Sequence, residues 1–244
     1  MTDARHAELQ RRYFEAADPE RFRWTTEAQG FAETEDALLA DVLARVVEPC
    51  LEIGCGEGNN LVRLLRQGRC FGVDLFPQKL HFAAANLPGA RLAVADAAAL
   101  PFRDGAFRSV FVRDLLHHVP RPPAVLAEAV RLLAPGGALL LLEPNGRNPL
   151  VRLQTWLVPA ERGARASGAA SLAALLEPLP LEDVELRMLE PLPLRRLFLH
   201  YRFGMPSLGR VAVARRGIAA AERLLGRVLP ASRWSYVAIR ARKR

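Results

Sequence analysis

Long apolar runs are missing from this sequence. No stretch approaches the roughly 20 residues that a helix needs to cross a bilayer, and the longest candidate near the middle, residues 138–142, has the length of a strand. The polar segment Met1–His6 also lacks the apolar core of a signal peptide. These two absences predict a cytoplasmic protein without a membrane-spanning segment.

Cysteine is scarce as well, with three residues in 244. Cys50, Cys55 and Cys70 show no paired spacing of the kind that holds zinc, and an odd number of cysteines cannot all pair with one another. The simplest interpretation is a reduced setting, in agreement with a cytoplasmic location. No metal site and no nucleophilic triad is expected from the sequence.

Lysine is nearly absent, since Lys79 and Lys243 are the only lysines among 34 basic residues. The net charge of +8 is unevenly distributed: residues 191–244 contain thirteen basic residues and one acid, Glu222. Three interpretations of this segment stay open. In the first, the charged side chains are simply solvated. In the second, they bind an anionic membrane surface or an acidic acceptor. In the third, they bind nucleic acid. Nucleic acid is the least favoured, because no run of stacking aromatics accompanies the arginines.

The composition is otherwise that of a globular protein, half hydrophobic and a quarter charged. Apolar strand-like runs alternate with helical patterns from residue 49 onward, which is typical of a parallel α/β sheet. A helix is predicted to begin near Asn59, and another over residues 122–133 is predicted to stop at a turn over 135–137. The five predicted strands are residues 49–54, 69–74, 91–95, 109–113 and 138–143.

The flanking regions are less regular. Helical segments are predicted over about 3–17 and 33–47, joined by an irregular stretch that contains Arg23 and Trp24. Residues 144–170 are interpreted as a long loop with a short helix. Strands are expected at 183–189 and 234–242.

Residues 208–229 have the periodicity of an amphipathic helix. Its apolar face is expected to pack on the sheet and its basic face to meet solvent. The apolar positions are Val211, Ile218 and Leu225, and the basic ones are Arg216, Arg223 and Arg227.

The most informative segment is residues 51–58, LEIGCGEG, in which an apolar run ends in a glycine-dense turn. Glycine is needed where the backbone adopts positive φ and passes close to a ligand. Asp74 follows Gly54 by twenty residues and ends the next apolar run, which places a carboxylate at the tip of the neighbouring strand. In nucleoside-binding α/β folds such an acid holds the ribose hydroxyls.

A dinucleotide loop would read G-x-G-x-x-G. Gly54 and Gly56 fit that pattern, but Asn59 occupies the third glycine position and Gly58 comes one residue early. Glu52 would repel a pyrophosphate, whereas a cationic ligand such as S-adenosylmethionine would tolerate it. An NAD(P)-dependent reductase and a non-catalytic cofactor-binding module are kept as alternatives.

The chain resembles the class I S-adenosylmethionine-dependent methyltransferases, in their ubiquinone- and menaquinone-biosynthesis-like branch of type 11. Residues 52–58 match the first motif of that family, E/D-x-G-x-G-x-G, and Asp74 and the Asp96–Ala97 pair match its ribose and adenine positions. Residues 110–119 resemble its fourth strand and loop, and 132–144 its fifth. The resemblance covers roughly residues 35–145.

This resemblance implies a Rossmann-like, seven-stranded, mainly parallel sheet with helices on both faces, an N-terminal helical lid and a helical insertion before the last strand. It implies one domain, with a lid over 1–34, a cofactor-binding core over 35–145 and an acceptor-side segment over 146–244. The cofactor is then S-adenosylmethionine, and the acceptor a small molecule, lipophilic or anionic. The implied cofactor contacts are Glu52, Gly54, Cys55, Gly56, Asp74, Leu75, Asp96, Ala97 and Arg113.

His117 and His118 are the candidate catalytic residues, because they follow the fourth strand at the edge where open α/β sheets bind ligands. One of them would serve as a base or orient the acceptor. The alternative is that one caps the loop while the other faces solvent.

Other acceptor-side candidates come from position alone. His200 and Tyr201 either line the acceptor pocket or form a surface pair, and Arg147 and Asn148 are placed above the sheet. Tyr13, Phe14, Arg23 and Trp24 resemble lid residues, although half of them could pack the first helix.

Overall fold

The computed structural model of the chain describes residues 3–202 and 204–244. Met1 and Thr2, the first residues of the predicted lid, lie outside the described residues. Within them the chain forms seven strands in one sheet of order β3-β2-β1-β4-β5-β7-β6. The strands are β1 Cys50–Ile53, β2 Cys70–Asp74, β3 Arg91–Val94, β4 Phe107–Arg113, β5 Leu133–Pro144, β6 Leu181–Leu189 and β7 Tyr236–Lys243.

The first five strands are parallel, and β7 runs antiparallel to both β5 and β6. The predicted seven-stranded, mainly parallel sheet is therefore confirmed. The α-helices are α1 Asp3–Phe14, α2 Pro19–Thr26, α3 Ala32–Leu43, α4 Leu61–Leu64, α5 Pro77–Asn86, α6 Pro122–Leu132, α7 Pro149–Leu157, α8 Ala169–Leu176, α9 Leu194–Phe198 and α10 Ala212–Val228.

The stretch around Arg23, predicted to be irregular, is helix α2, and this prediction is corrected. Residues 144–170, predicted to be a long loop with a short helix, contain helix α7, a 3₁₀ segment over Pro159–Arg165 and the start of α8. Helices α2 and α7 each begin with a capping side chain followed by proline: the Asp18 carboxylate accepts from the backbone of Arg21, and the Asn148 amide oxygen accepts from Leu150. A capping side chain followed by proline marks the first turn of a helix, and this signal is independent of the apolar periodicity used for the prediction.

The predicted turn at residues 135–137 is also wrong, because β5 begins directly at Leu133. Gly136 has a φ of +75°, and the pairing of β4 with β5 shifts register between Phe107 and Ser109. The glycines therefore provide a bulge at the start of the strand, where one strand takes extra residues without ending.

The hydrophobic core has two parts, one on each face of the sheet. Leu139 and Leu141 of β5 pack with α6 and α8 on one face, whereas Leu140 and Leu142 pack with α3, α4 and α5 on the other. Successive side chains of a strand point to opposite faces, so a strand covered on both sides is apolar throughout. Cys50, Cys55 and Cys70 are buried free thiols in the second part.

Helix α10 does not pack on the sheet, which corrects the expectation for its apolar face. It lies against α9 and the 3₁₀ segment Pro206–Arg210, and Ile218 joins a small cluster built on Trp24 and Phe31. Val211 and Leu225 are exposed, as are the basic residues Arg216, Arg223 and Arg227 that were predicted to face solvent. Within the described residues, no helix combines the length and apolar character required to cross a membrane.

Candidate functional site

A large cleft lies at the carboxyl ends of the parallel strands. Its volume is about 1900 Å³, and helices α1 and α2 form part of its wall. The strand order reverses between β1 and β4, and in open α/β sheets the crevice at such a switch point is where ligands bind.

The glycine loop after β1 forms the floor of the cleft. Gly54, Gly56 and Gly58 have φ values of +78°, +53° and +88°, the left-handed region that side chains disfavour. The backbone N–H groups of Gly54 and Cys55 both donate to the carbonyl oxygen of Val73, at 2.8 and 3.0 Å, and so tie the loop to β2. The loop geometry is therefore fixed by the backbone.

Asp74 ends β2 beside this loop, as predicted. Its Oδ2 accepts from the Gly56 N–H at 2.9 Å and its Oδ1 accepts from the Phe76 N–H at 2.9 Å. Each carboxylate oxygen keeps capacity for a further hydrogen bond toward the cleft. Burial raises the pKa of Asp74, although these two backbone donors oppose the shift. Leu75, next in sequence, is exposed in the cleft wall.

Asp96 and Ala97 line the same cleft beyond the end of β3. The Asp96 side chain is exposed, and its Oδ1 accepts from the Ala98 N–H at 2.9 Å in a local turn. The structure therefore brings the predicted ribose and adenine positions to one edge of the sheet, together with Gly54, Cys55 and Gly56 of the loop.

Glu52 takes a different place, since it is not among the described residues that line the cleft. Its side chain is buried beneath the loop, where Asn60 Nδ2 donates to its Oε1 at 2.7 Å. Its Oε2 has no hydrogen-bond partner among the described residues. Burial raises the pKa of Glu52 to about 8, so the carboxyl is mostly neutral at pH 7.

Arg113 ends β4 in the wall of the cleft and holds a buried ionic cluster together. Its Nη1 lies 2.7 Å from Glu35 Oε2 on α3 and 2.9 Å from Asn60 Oδ1. Arg196, from the segment after β6, pairs with the other oxygen of Glu35 at 2.5 Å. Burial by itself would raise the pKa of Glu35, but Arg113 and Arg196 lower it to about 2.

His117 is buried in the loop after β4, and its partner is a carboxylate. His117 Nδ1 lies 2.7 Å from Glu143 Oε2 at the end of β5, while the other oxygen, Oε1, accepts from the backbone of Leu115 and Leu116. Its Nε2 lies 3.4 Å from Glu161 Oε2. Burial would lower the pKa of His117, but Glu143 and Glu161 raise it to about 10.

His118 does not face open solvent. Its ring packs against the rings of His117 and Phe14, with centroid separations of 3.8 and 4.6 Å. Burial and the neighbouring His117 lower the pKa of His118 to about 3, which keeps this imidazole neutral. The alternative of one capping and one solvated histidine is therefore wrong, since both rings lie in the cleft wall.

The remaining candidates divide between the cleft and the scaffold. His200 and Tyr201 line the cleft, and the Tyr201 hydroxyl donates to Asp18 Oδ2 at 2.6 Å, so they are not a surface pair. Arg147 is exposed outside the cleft, and Asn148 is the buried cap of α7, so neither is placed above the sheet.

The lid candidates also divide. Tyr13, Phe14 and Arg23 line the cleft. Trp24 touches its edge, but mainly stacks on Phe31 at 3.6 Å and donates to the Leu199 carbonyl oxygen, which is a packing role.

Sequence reasoning missed Arg21 and Glu161. Arg21 lies on α2 and reaches the cleft, where Glu57, Asp114 and Glu161 raise its pKa against the effect of burial. No hydrogen bond or ion pair of its guanidinium occurs within the described part of the chain. Both residues belong to segments interpreted as irregular, so only a helix-start signal at Asp18–Pro19 could have drawn attention to Arg21.

The comparisons with known proteins agree with this geometry. Residues 51–141 match the family model described as a methyltransferase domain. A S-adenosylmethionine-dependent methyltransferase structure from Thermotoga maritima superposes with a TM-score of 0.67 at 20% identity, covering 98% of this chain and all of that one. The segment that contains the glycine loop and Asp74 is therefore similar to a methyltransferase domain, and nearly the whole chain shares the fold of that methyltransferase structure.

Other relatives are similar over parts of their length. An uncharacterized protein of a Streptomyces fradiae transposon is 34% identical over 57% of this chain and 43% of its own length. The 2-methyl-6-phytyl-1,4-hydroquinone methyltransferase of Synechocystis is 34% identical over 46% of this chain and 37% of its own. The chain thus spans about two fifths of the length of these curated relatives.

A geranyl diphosphate C-methyltransferase from Streptomyces coelicolor, solved with Mg²⁺, geranyl diphosphate and S-adenosylhomocysteine, shares the fold. Its TM-score is 0.65 at 18% identity, and each chain is covered completely.

Proposed function

We propose that this chain transfers a methyl group from S-adenosylmethionine to a small-molecule acceptor. The observation that carries the proposal is the hydrogen bond from the Gly56 N–H to the Asp74 carboxylate. Both residues lie in the segment that matches the methyltransferase family model. The hydrogen bond places a carboxylate where it can bind a ribose, and it places a glycine backbone beside it where the remainder of the cofactor can lie.

The residues present fit that cofactor. A side chain at Gly56 would project into open space, with Lys79 the nearest neighbour at 3.8 Å, so glycine leaves room there for a ligand. The amide oxygen of Asn59, which lines the cleft, has no hydrogen-bond partner among the described residues. An acceptor oxygen beside the loop favours a ligand that bears an ammonium and a sulfonium over one that bears a pyrophosphate.

When bound, the sulfonium supplies a methyl group activated toward in-line displacement. The protein then has to align the acceptor and exclude water, and such positioning alone can contribute on the order of 7–11 kcal/mol. We propose that Asp74, the loop from Gly54 to Gly56, Leu75, Asp96 and Ala97 bind the cofactor. Helices α1 and α2 act as the lid, and His117 and His118 orient the acceptor.

We further propose that the acceptor is lipophilic with a polar or anionic group. The cleft volume of about 1900 Å³ exceeds the 300–1,000 Å³ typical of a single ligand, which leaves room for a second molecule. Leu153 and Leu157 of α7 line one side, and Arg21 extends a guanidinium without a partner from another. The Synechocystis relative is named for a phytyl hydroquinone, which has this combination of properties.

Titration with two nucleosides tests the cofactor assignment against the reductase alternative. S-adenosylhomocysteine should raise the melting temperature with a dependence on ligand concentration, whereas NADH should not, because only a ligand of the native state stabilises it. The opposite result would identify a nicotinamide enzyme. Transfer of a labelled methyl group to a panel of prenylated hydroquinones then separates an enzyme from a non-catalytic binding module.

A peripheral membrane contact through α10 is proposed as a further property. Val213, Leu224 and Val228 are exposed on the same side as Arg216, Arg223 and Arg227, which combines apolar and basic groups on one helix. A variant with these three arginines changed to glutamine should sediment less with anionic vesicles than the wild type. Truncation at residue 190 is unsuitable because it would remove β7 from the interior of the sheet. Equal, negligible sedimentation of both proteins would contradict the proposal.

A further inference from the structure

Three side chains on the acceptor side of the cleft have nitrogen and oxygen atoms close enough to share one ion. His117, His118 and Glu161 each offer a ligand atom, and these atoms lie within 4.8 Å of one another. His117 Nε2 is 3.4 Å from one oxygen of Glu161, and His118 Nε2 is 4.0 Å from the other. Metal bonds of 2.0–2.2 Å hold ligand atoms about 3–4 Å apart, so small side-chain rotations would complete the arrangement.

One of these atoms is buried without a hydrogen bond, although the Glu161 carboxylate lies 3.4 Å away. His117 is 2% exposed at its side chain, and its Nε2 forms no hydrogen bond within the described residues. A buried polar atom without a partner costs free energy unless something fills the space. Its neighbours are an imidazole and a carboxylate, which is the donor set that a metal ion uses.

The other nitrogen of His117 is arranged as in metal sites. Metal-binding histidines usually donate the remaining ring N–H to a carboxylate, which fixes the tautomer and orients the ring. Here Nδ1 lies 2.7 Å from Glu143, and two backbone N–H groups hold that carboxylate in place. With Nδ1 as the donor, Nε2 faces Glu161, and a metal ion bound there would take the place of the Nε2 proton.

Glu161 is held by the fold despite its location between helices. Its 3₁₀ segment packs so closely on the histidine loop that a Cβ on Gly163 would lie 1.8 Å from the carbonyl oxygen of His117. Ala160 and Ala164 on either side are buried, and Gln10 of the lid donates to the Ala160 carbonyl oxygen at 2.7 Å. These contacts place the carboxylate before any ligand arrives.

We propose that His117, His118 and Glu161 bind a divalent transition-metal ion in the wall of the cleft. Two imidazoles and one carboxylate suit Zn²⁺ and its neighbours better than Mg²⁺ or Ca²⁺, which prefer oxygen ligands. Three protein ligands leave coordination positions open toward the cleft, as in catalytic rather than structural sites.

The role of the ion rests on the proposed methyl transfer, although its binding does not. An ion with an open position lowers the pKa of a bound hydroxyl group. The site would therefore bind an acceptor through an ionisable oxygen, such as that of a phenol or hydroquinone. The acceptor's proton is released to solvent when its oxygen binds the metal, and no further reactant is needed.

Metal titration of the full chain after treatment with a chelator tests the site. The wild type should bind one equivalent of Zn²⁺ by calorimetry and give the visible absorption of a Co²⁺ complex with nitrogen ligands. E161Q and H118Q should each weaken Zn²⁺ binding by at least tenfold. Matched controls with exposed residues, H81Q and E177Q, should leave it unchanged.

S-adenosylhomocysteine binding by each variant serves as the check on folding and separates this proposal from the proposed function. A chain that binds Zn²⁺ but no S-adenosylhomocysteine contradicts the proposed function and leaves the metal site standing. Absence of stoichiometric Zn²⁺ binding by the wild type, or unchanged affinity in both ligand variants, overturns the site. If a variant fails to fold, anomalous diffraction from Zn²⁺-soaked wild-type crystals tests the site directly. Anomalous density at His117 Nε2 supports the proposed metal site, and density elsewhere overturns it.

Discussion

The two ends of the cleft are built in different ways. The nucleoside end, where we propose that the cofactor binds, uses two consecutive strand ends: a glycine loop over residues 54–58 and the carboxylate of Asp74, joined by backbone hydrogen bonds. The acceptor end, where we propose that the acceptor binds, collects side chains from distant elements, among them His117 after β4, Glu143 at the end of β5 and Glu161 beyond α7. Recognition that relies on the backbone is therefore local, and recognition that relies on side chains depends on tertiary packing.

A buried ionic cluster connects these two ends. Arg113 of β4 and Arg196 of the segment after β6 both pair with Glu35 of α3. Arg63 of α4 lies nearby and donates to the carbonyl oxygens of Thr25 and Ala32. Arg63 thus ties α2 to α4, and the Glu35 cluster ties α3 to β4 and α9.

The largest effect is expected from breaking this connection. Arg113→Met leaves the buried Glu35 carboxylate without one of its two paired cations, which should lower the free energy of unfolding by about 3–5 kcal/mol in urea titrations. The double variant Glu35→Gln/Arg113→Met should recover part of the loss. Arg187→Met is the control, since its pair with Asp41 is exposed and should contribute less than about 1 kcal/mol. Similar losses in the two single variants would contradict a structural role for the cluster.

Two glycine substitutions separate packing from ligand recognition within the nucleoside end. A Cβ at Gly72 would lie 2.6 Å from Leu61 and 2.8 Å from the Cys55 sulfur, so Gly72→Ala should lower stability by about 1–3 kcal/mol through overpacking. Gly56→Ala meets open space, and its positive φ should cost only about 1 kcal/mol.

Gly56→Ala should, however, weaken S-adenosylhomocysteine binding more than Gly72→Ala does. Calorimetry on the folded variants, combined with thermal unfolding, measures both quantities. If Gly56→Ala and Gly72→Ala lost affinity in the same proportion to their loss of stability, the affinity loss would follow from destabilisation alone. The loop would then not face the ligand.

Removal of the Asp74 carboxylate, which we propose binds the ribose, is expected to have a smaller effect, although it also takes the acceptor from the Gly56 and Phe76 N–H groups. Asp74→Ala should weaken S-adenosylhomocysteine binding at least tenfold, about 1.4 kcal/mol, because its hydrogen bonds to the ribose are lost. Asp104→Ala is the matched control, since that carboxylate is exposed outside the cleft and pairs with Arg131. Unchanged affinity of Asp74→Ala in calorimetry would refute the assigned role.

The smallest effect concerns the pH dependence of stability at Glu52. Its pKa of about 8 in the folded chain exceeds the ordinary value of 4.5, so the folded state holds a proton that the unfolded state has released. The stability contributed by the protonated carboxyl therefore declines as pH rises from about 4.5 to 8, and then levels off.

Glu52→Gln removes this titration. Its free energy of unfolding relative to the wild type should rise by about 1.3 kcal/mol between pH 6 and pH 7, close to the slope of about 1.4 kcal/mol per pH unit expected for one proton. Denaturant titrations at several pH values provide the measurement. A difference that is constant with pH would mean that Glu52 ionises normally in the folded chain.

The regular parts of the fold could be predicted well. Strands β1, β2 and β3 fall within one residue of their predicted bounds, because apolar runs and glycine turns are local signals. Helix α2 and the bounds of α7 could not be found from apolar periodicity, although Asp18–Pro19 and Asn148–Pro149 carry the helix start. The packing of α10 against α9 could not be predicted, since its apolar face has the same pattern whichever surface covers it.

The sequence by itself determined the sheet, the glycine loop and the position of Asp74, because strand ends and positive-φ turns are encoded by consecutive residues. It also placed His117 at the correct edge of the sheet. Only the tertiary structure decided what surrounds that histidine: Glu143 on one nitrogen and Glu161 near the other. Those carboxylates lie 26 and 44 residues away along the chain, and no local pattern links them, since their approach depends on how β5 and the Pro159–Arg165 segment pack against the loop after β4.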